Sequence, residues 1–107
     1  MKSRKLKRKV SRKDINTLAD AIAREIVMWC YHSSGDPVDE CLAIHMNNPD
    51  SWDMYVPEEY EKLYRRVLRS RKKTAALDRA VLARLMKALA KIKKATRAKK
   101  RKAAGAE

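Results

Sequence analysis

Apolar residues recur along this chain at helical spacing and almost nowhere at the alternation of a half-buried strand. Ile15, Leu18, Ala19, Ile22, Ile26, Trp29 and Cys30 follow one another at steps of three and four, which places them on one face of a helix. Ser11 and Asp14 have the spacing of a capping box at its start. Ser33-Ser34-Gly35 predicts its end, with Gly35 suited to a left-handed terminal position. Asp36-Pro37 predicts a restart, and Val38, Cys41 and Leu42, with His45 and Met46 at the margin, form a short second helix closed by Asn47-Asn48-Pro49-Asp50. Residues 47–57 read as a polar loop that carries Trp52, Met54 and Tyr55. Pro57-Glu58-Glu59 opens another helix, whose inner face is Tyr60, Leu63, Tyr64, Val67 and Leu68. A last apolar series runs through Leu77, Val81, Leu82, Leu85, Leu89 and Ile92. No Gly or Pro occurs from 58 to 104, so the pattern allows one long helix over 58–95 or two, with Thr74 as a capping candidate. The expected fold class is all-α: a small bundle of three to four helices with disordered basic N- and C-terminal tails.

Charge divides the same chain differently. Residues 1–13 hold eight Lys/Arg and no acid. Residues 14–61 hold eleven Asp/Glu and only Arg24 against them. Residues 62–107 hold eighteen Lys/Arg and two acids, Asp78 and Glu107. The total is +14, but the signs are sorted rather than mixed as on a surface charged for solubility alone. The resulting division is a disordered basic arm (1–13), a helical domain (14–95, acidic over 14–61 and basic over 62–95) and a disordered basic tail (96–107). The arm and tail contain too few large apolar side chains to offset the entropy of ordering them. About 80 residues then remain for a core, a marginal size that a homodimer would deepen.

On a helical wheel for 58–95, Lys62, Arg66, Arg69, Lys73, Arg84, Lys87, Lys91 and Lys94 fall in a sector about 80° wide, away from the large apolar residues. With Arg65 they make a candidate nucleic-acid surface. Outward Lys and Arg are ordinary on any helix, but a merely solvated face would intersperse acids, and this sector holds none. Such a stripe takes DNA or RNA by its phosphates, with little sequence specificity. The chain has no Gln, its three Asn lie in or beside the acidic part, and no helix-turn-helix pattern with a polar recognition helix is present.

Cys30, His32, Cys41 and His45 lie within sixteen residues and include every Cys and His in the chain. Two Cys and two His can complete a zinc tetrahedron, and Cys41 and His45 share a helix face. Against this, Cys-x-His is an uncommon zinc spacing, and Cys30 falls on an apolar face where a free Cys acts as a small hydrophobe. The core reading is preferred, so no cofactor is expected. Two cysteines suit a reduced, cytoplasmic setting, with a Cys30–Cys41 disulfide the less expected state.

All six aromatics lie in 29–64. Trp29, Tyr60 and Tyr64 are expected in the core. Trp52 and Tyr55, beside Asp50 and Asp53, either pin their loop or anchor a protein partner. No nucleophile–base set or glycine-rich phosphate loop stands out, no window of about 18 apolar residues could span a membrane, and the basic N-terminus lacks the apolar stretch of a secretory signal. The expected function is that of a small, non-enzymatic nucleic-acid-binding accessory or regulatory protein. The alternative is a protein–protein adaptor or inhibitor acting through the loop around Trp52.

Overall fold

The computed structural model describes the backbone of residues 9–105 and the side chains of residues 9–95, so most of the expected basic arm, residues 1–8, lies outside it. The four α-helices among the described residues are α1 (Arg12–His32), α2 (Val38–Met46), α3 (Glu61–Leu68) and α4 (Arg71–Gly105). Two 3₁₀ segments, Pro49–Tyr55 and Glu58–Tyr60, connect α2 to α3. The described residues contain no strand, and the fold is all-α.

The capping box at the start of α1 forms as its spacing predicts: the Asp14 amide donates to Ser11 Oγ at 3.1 Å, and the Ser11 amide donates to Asp14 Oδ2 at 2.9 Å. Ahead of it Val10 is buried against the core, so the ordered chain begins before the boundary drawn at residue 13. At the other end, the amides of Ser33 and Ser34 both donate to the Trp29 carbonyl, and Gly35 takes φ +74°. The restart at Asp36-Pro37 is offset by one residue. Pro37, with no side-chain cap, precedes the first residue of α2, and its carbonyl accepts from the Cys41 amide.

Leu18, Ile22 and Ile26 from α1, Leu42 from α2, Val67 from α3 and Leu77, Val81 and Leu85 from α4 are almost wholly excluded from solvent. Each such side chain contributes about 1.5–3 kcal/mol by burial. The α1–α4 interface is the most extensive in the fold, and α2 and α3 close over it. Trp29 departs from expectation. It lies at the end of the α1 stripe but is 43% exposed, beside exposed Met28 and Tyr31. Cys30, the next residue of the stripe, is 2% exposed, so the end of α1 is covered on the Cys30 side and left open at Trp29.

Residues 58–95 are not one helix. The Arg69 and Ser70 amides turn back to the carbonyls of Arg66 and Val67, and Ser70 Oγ accepts from the Lys73 amide at 3.3 Å. Ser70, not Thr74, therefore caps α4. Thr74 instead uses its hydroxyl to donate to the Val67 and Ser70 carbonyls, tying the two helices together. Residues 96–105, expected in an unstructured tail, continue the backbone of α4. No helix among the described residues is long and apolar enough to cross a membrane.

Candidate functional site

The break at Ser70 divides the basic stripe. Lys62, Arg65, Arg66 and Arg69 belong to α3 and its end, whereas Lys73, Arg84, Lys87, Lys91 and Lys94 belong to α4. The eight cations of the wheel therefore do not share one cylinder, and the continuous stripe from 62 to 94 is corrected to two shorter groups.

Several members are also engaged within the fold. Arg65 Nη2 donates to Glu61 Oε1 at 2.9 Å, one turn away on an exposed surface. Arg66 and Lys73 are half-buried. Arg84 is structural: its Nε donates to Asp20 on α1, and its Nη1 donates to the Ala80 carbonyl at 3.0 Å. Its position on α4 lies beside the buried Leu77–Val81–Leu85 face rather than opposite it, so the guanidinium reaches across to α1. The remaining group is Lys87, Lys91 and Lys94, with Lys93 on the adjoining side. All four are exposed, and none makes a hydrogen bond or ion pair among the described residues.

The aromatic loop is resolved in favour of the core. Trp52 is buried and its indole N–H donates to the His45 carbonyl at 2.8 Å. Tyr55 is half-buried, with its hydroxyl 2.9 Å from His45 Nε2. Both side chains pin the 3₁₀ segment to α2, which removes Trp52 as a partner anchor. Asp50 and Asp53 are exposed, and their charges act inside the molecule. Burial, then the charges of Asp53 and Asp78, raise the Tyr64 phenol, and burial followed by the charge of Asp50 raises the Asp78 carboxyl.

The Cys/His group is brought together in part. Cys30 and Cys41 are buried and joined as a disulfide with Cα atoms 5.6 Å apart, within the ordinary range. This corrects the expectation of two reduced cysteines. His45 closes on them, its Nδ1 3.7 Å from Cys41 Sγ and 4.0 Å from Cys30 Sγ. His32 takes no part: it is exposed at the last turn of α1, two residues past Cys30 and therefore on a different side of the helix. The four-ligand zinc set of the sequence thus reduces to three residues, two of them paired with each other.

A shallow groove bordered by Glu25, Met28, Trp29, His32, Ser33 and Tyr55 runs beside this group. The exposed indole of Trp29 is the feature that periodicity alone misplaced. Comparison with protein-family models, with curated proteins and with solved structures finds no match for this chain.

Proposed function

We propose that the protein binds nucleic acid through its phosphate backbone, using the second half of α4 as the principal contact. The observation that carries this reading is the group Lys87, Lys91, Lys93 and Lys94: exposed cations without an intramolecular partner among the described residues, in a stretch with no acid between Asp78 and Glu107. Lys87, Lys91 and Lys94 are spaced by four and three, so they lie along one side of the helix over about 10 Å. Lys62 on α3 and Arg69 at its C-terminal cap are also exposed and add to the positive field. The acids of α1, α2 and the 3₁₀ segments repel a polyanion and orient it toward α4. Contacts of this kind neutralise phosphates and release counterions, giving affinity without base readout.

The test is binding of the full chain to a mixed-sequence duplex and to a single-stranded RNA, followed by fluorescence anisotropy across a salt series. Replacing Lys87, Lys91 and Lys94 with Ala is expected to weaken binding to all duplex sequences alike. It should also lower the slope of log K against log salt by about 2.7, at about 0.9 per lost phosphate contact. An unchanged slope refutes the assignment of these residues.

A further inference from the structure

Three atoms of the kind preferred by d10 metal ions converge where α1 ends and α2 passes. Cys30 Sγ, Cys41 Sγ and His45 Nδ1 all lie within 4.8 Å of one another. Each is placed by a different constraint. Cys30 is on the buried face of α1, Cys41 is on the first turn of α2, and His45 follows Cys41 by one turn on the same face. Tyr55 holds the far ring nitrogen and the Cys41 carbonyl lies 2.9 Å from Nδ1, so the imidazole is fixed at both ends, while Trp52 holds the His45 main chain through its carbonyl. A tetrahedral zinc ion with Zn–S of about 2.3 Å and Zn–N of about 2.0–2.1 Å sets its S and N ligands about 3.5 Å apart. The imidazole already stands at 3.7 and 4.0 Å from the two sulfurs.

We propose that the reduced protein binds one Zn²⁺ through Cys30 Sγ, Cys41 Sγ and His45 Nδ1, with a solvent ligand in the fourth position, and that the Cys30–Cys41 disulfide is the closed, metal-free state of the same site. Opening it consumes two electrons and two protons, supplied by a small dithiol that leaves as its own disulfide. The two protein thiols then lose their protons to solvent as they bind the cation.

The His45 ring responds to the same change. In the disulfide state Nδ1 lies 2.9 Å from the Cys41 carbonyl, which can only accept, so Nδ1 carries the proton and Nε2 accepts from the Tyr55 hydroxyl. With zinc on Nδ1 the proton resides on Nε2 and Tyr55 becomes the acceptor, the outer hydrogen bond that orients a metal-bound histidine. Both states tie the end of α1 to α2, so the redox change alters metal occupancy and leaves the helical scaffold in place. The inference stands apart from the nucleic-acid reading, and either can fail without the other.

The test uses the full chain, oxidised or reduced with a dithiol, titrated with Co²⁺ for its thiolate charge-transfer bands and with Zn²⁺ against a chromophoric chelator. The reduced chain is expected to bind a single equivalent and the oxidised chain none. Tyr55→Phe should weaken zinc binding by about 10- to 100-fold. His45→Gln should weaken it further and change the cobalt spectrum, and His32→Ala should leave both unchanged. Cys41→Ser should abolish the thiolate bands and zinc uptake; should it fail to fold, the wild-type chain still decides: bound Zn²⁺ must slow reaction of the two thiols with a small aromatic disulfide. The proposal is overturned by a reduced, helical chain that takes up no metal. Equal binding by the oxidised chain, or an effect of His32→Ala as large as that of His45→Gln, overturns it too.

Discussion

The two tryptophans exchange the roles their spacing suggests, and their removal should separate by about 1 kcal/mol or more. Trp52 is 5% exposed and donates its indole N–H to the His45 carbonyl at 2.8 Å, whereas Trp29 is 43% exposed. Trp52→Phe deletes that donor and part of a buried ring system. The His45 carbonyl still accepts from the Asn48 amide at 3.2 Å, so it is not orphaned, and the hydrogen-bond loss is limited to about 0.5–1.5 kcal/mol. The space left by the smaller ring adds a cavity cost of about 1–2 kcal/mol. The expected total is about 1.5–3.5 kcal/mol. Trp29→Phe acts on a surface that water already reaches and should cost no more than about 0.5 kcal/mol. Urea unfolding followed by far-ultraviolet circular dichroism gives the midpoints, compared at constant m. Each variant also leaves one tryptophan as a reporter: blue-shifted emission is expected from the Trp29→Phe protein and red-shifted emission from the Trp52→Phe protein. Equal midpoints, or a larger loss from Trp29→Phe, refute the assignment of Trp52 to the core and with it the pinning of the 3₁₀ segment onto α2.

Other consequences are open to the same measurement. Ser70→Ala removes the oxygen that accepts from the Lys73 amide and should cost about 1 kcal/mol in urea midpoint, whereas a loss below about 0.3 kcal/mol denies Ser70 the role of cap. Asp78 has its carboxyl raised by burial and by Asp50, so the native state holds this proton more tightly than the unfolded chain. The stability it contributes is present below its ordinary value of 3.8 and is lost as pH rises through the raised one. Asp78→Asn should therefore flatten that decline and raise stability at neutral pH by up to about 0.5 kcal/mol, measured as urea midpoints over a pH series; a drop at neutral pH counts against the repulsion from Asp50.

Helices were legible where local chemistry and apolar spacing agree. Ser11 and Asp14 announce α1, Gly35 its end, and the face of Leu18, Ile22 and Ile26 needs no tertiary information. The loss of continuity at Ser70 was harder to read. A lone serine in a run of strong helix formers marks no boundary by itself, and only the turn after Leu68, in which the Ser70 amide donates to the Val67 carbonyl, makes use of it. Exposure of Trp29 was likewise hidden, because periodicity finds a face but not which part of it a neighbour covers: Cys30 is covered and Trp29 is not. The convergence of Cys41 and His45 followed from their spacing of four. That Cys30 joins them and His32 does not depends on where α1 crosses α2.

The break at Ser70 also reshapes the charge argument. On a single helix from 58 to 95 the cations of α3 would extend those of α4 along one line, and Arg84 would stand midway in it. With two helices, Arg84 is drawn to Asp20 and serves the α1–α4 interface, so the positive charge nearest the core is spent inside the fold. What remains begins at Lys87, where the core residues of α4 thin to the half-buried Leu89 and Ile92. Lys87 and Lys91 are one turn apart, and like charges at that spacing destabilise a helix by about 0.2–0.5 kcal/mol a pair. Past Ile92 the described residues 93–95 are exposed and bring little burial against such repulsion, whereas on the proposed reading a line of phosphates along this side would relieve it. Under the proposed function, affinity for a polyanion and stability of the distal half of α4 would therefore be coupled, each favouring the other.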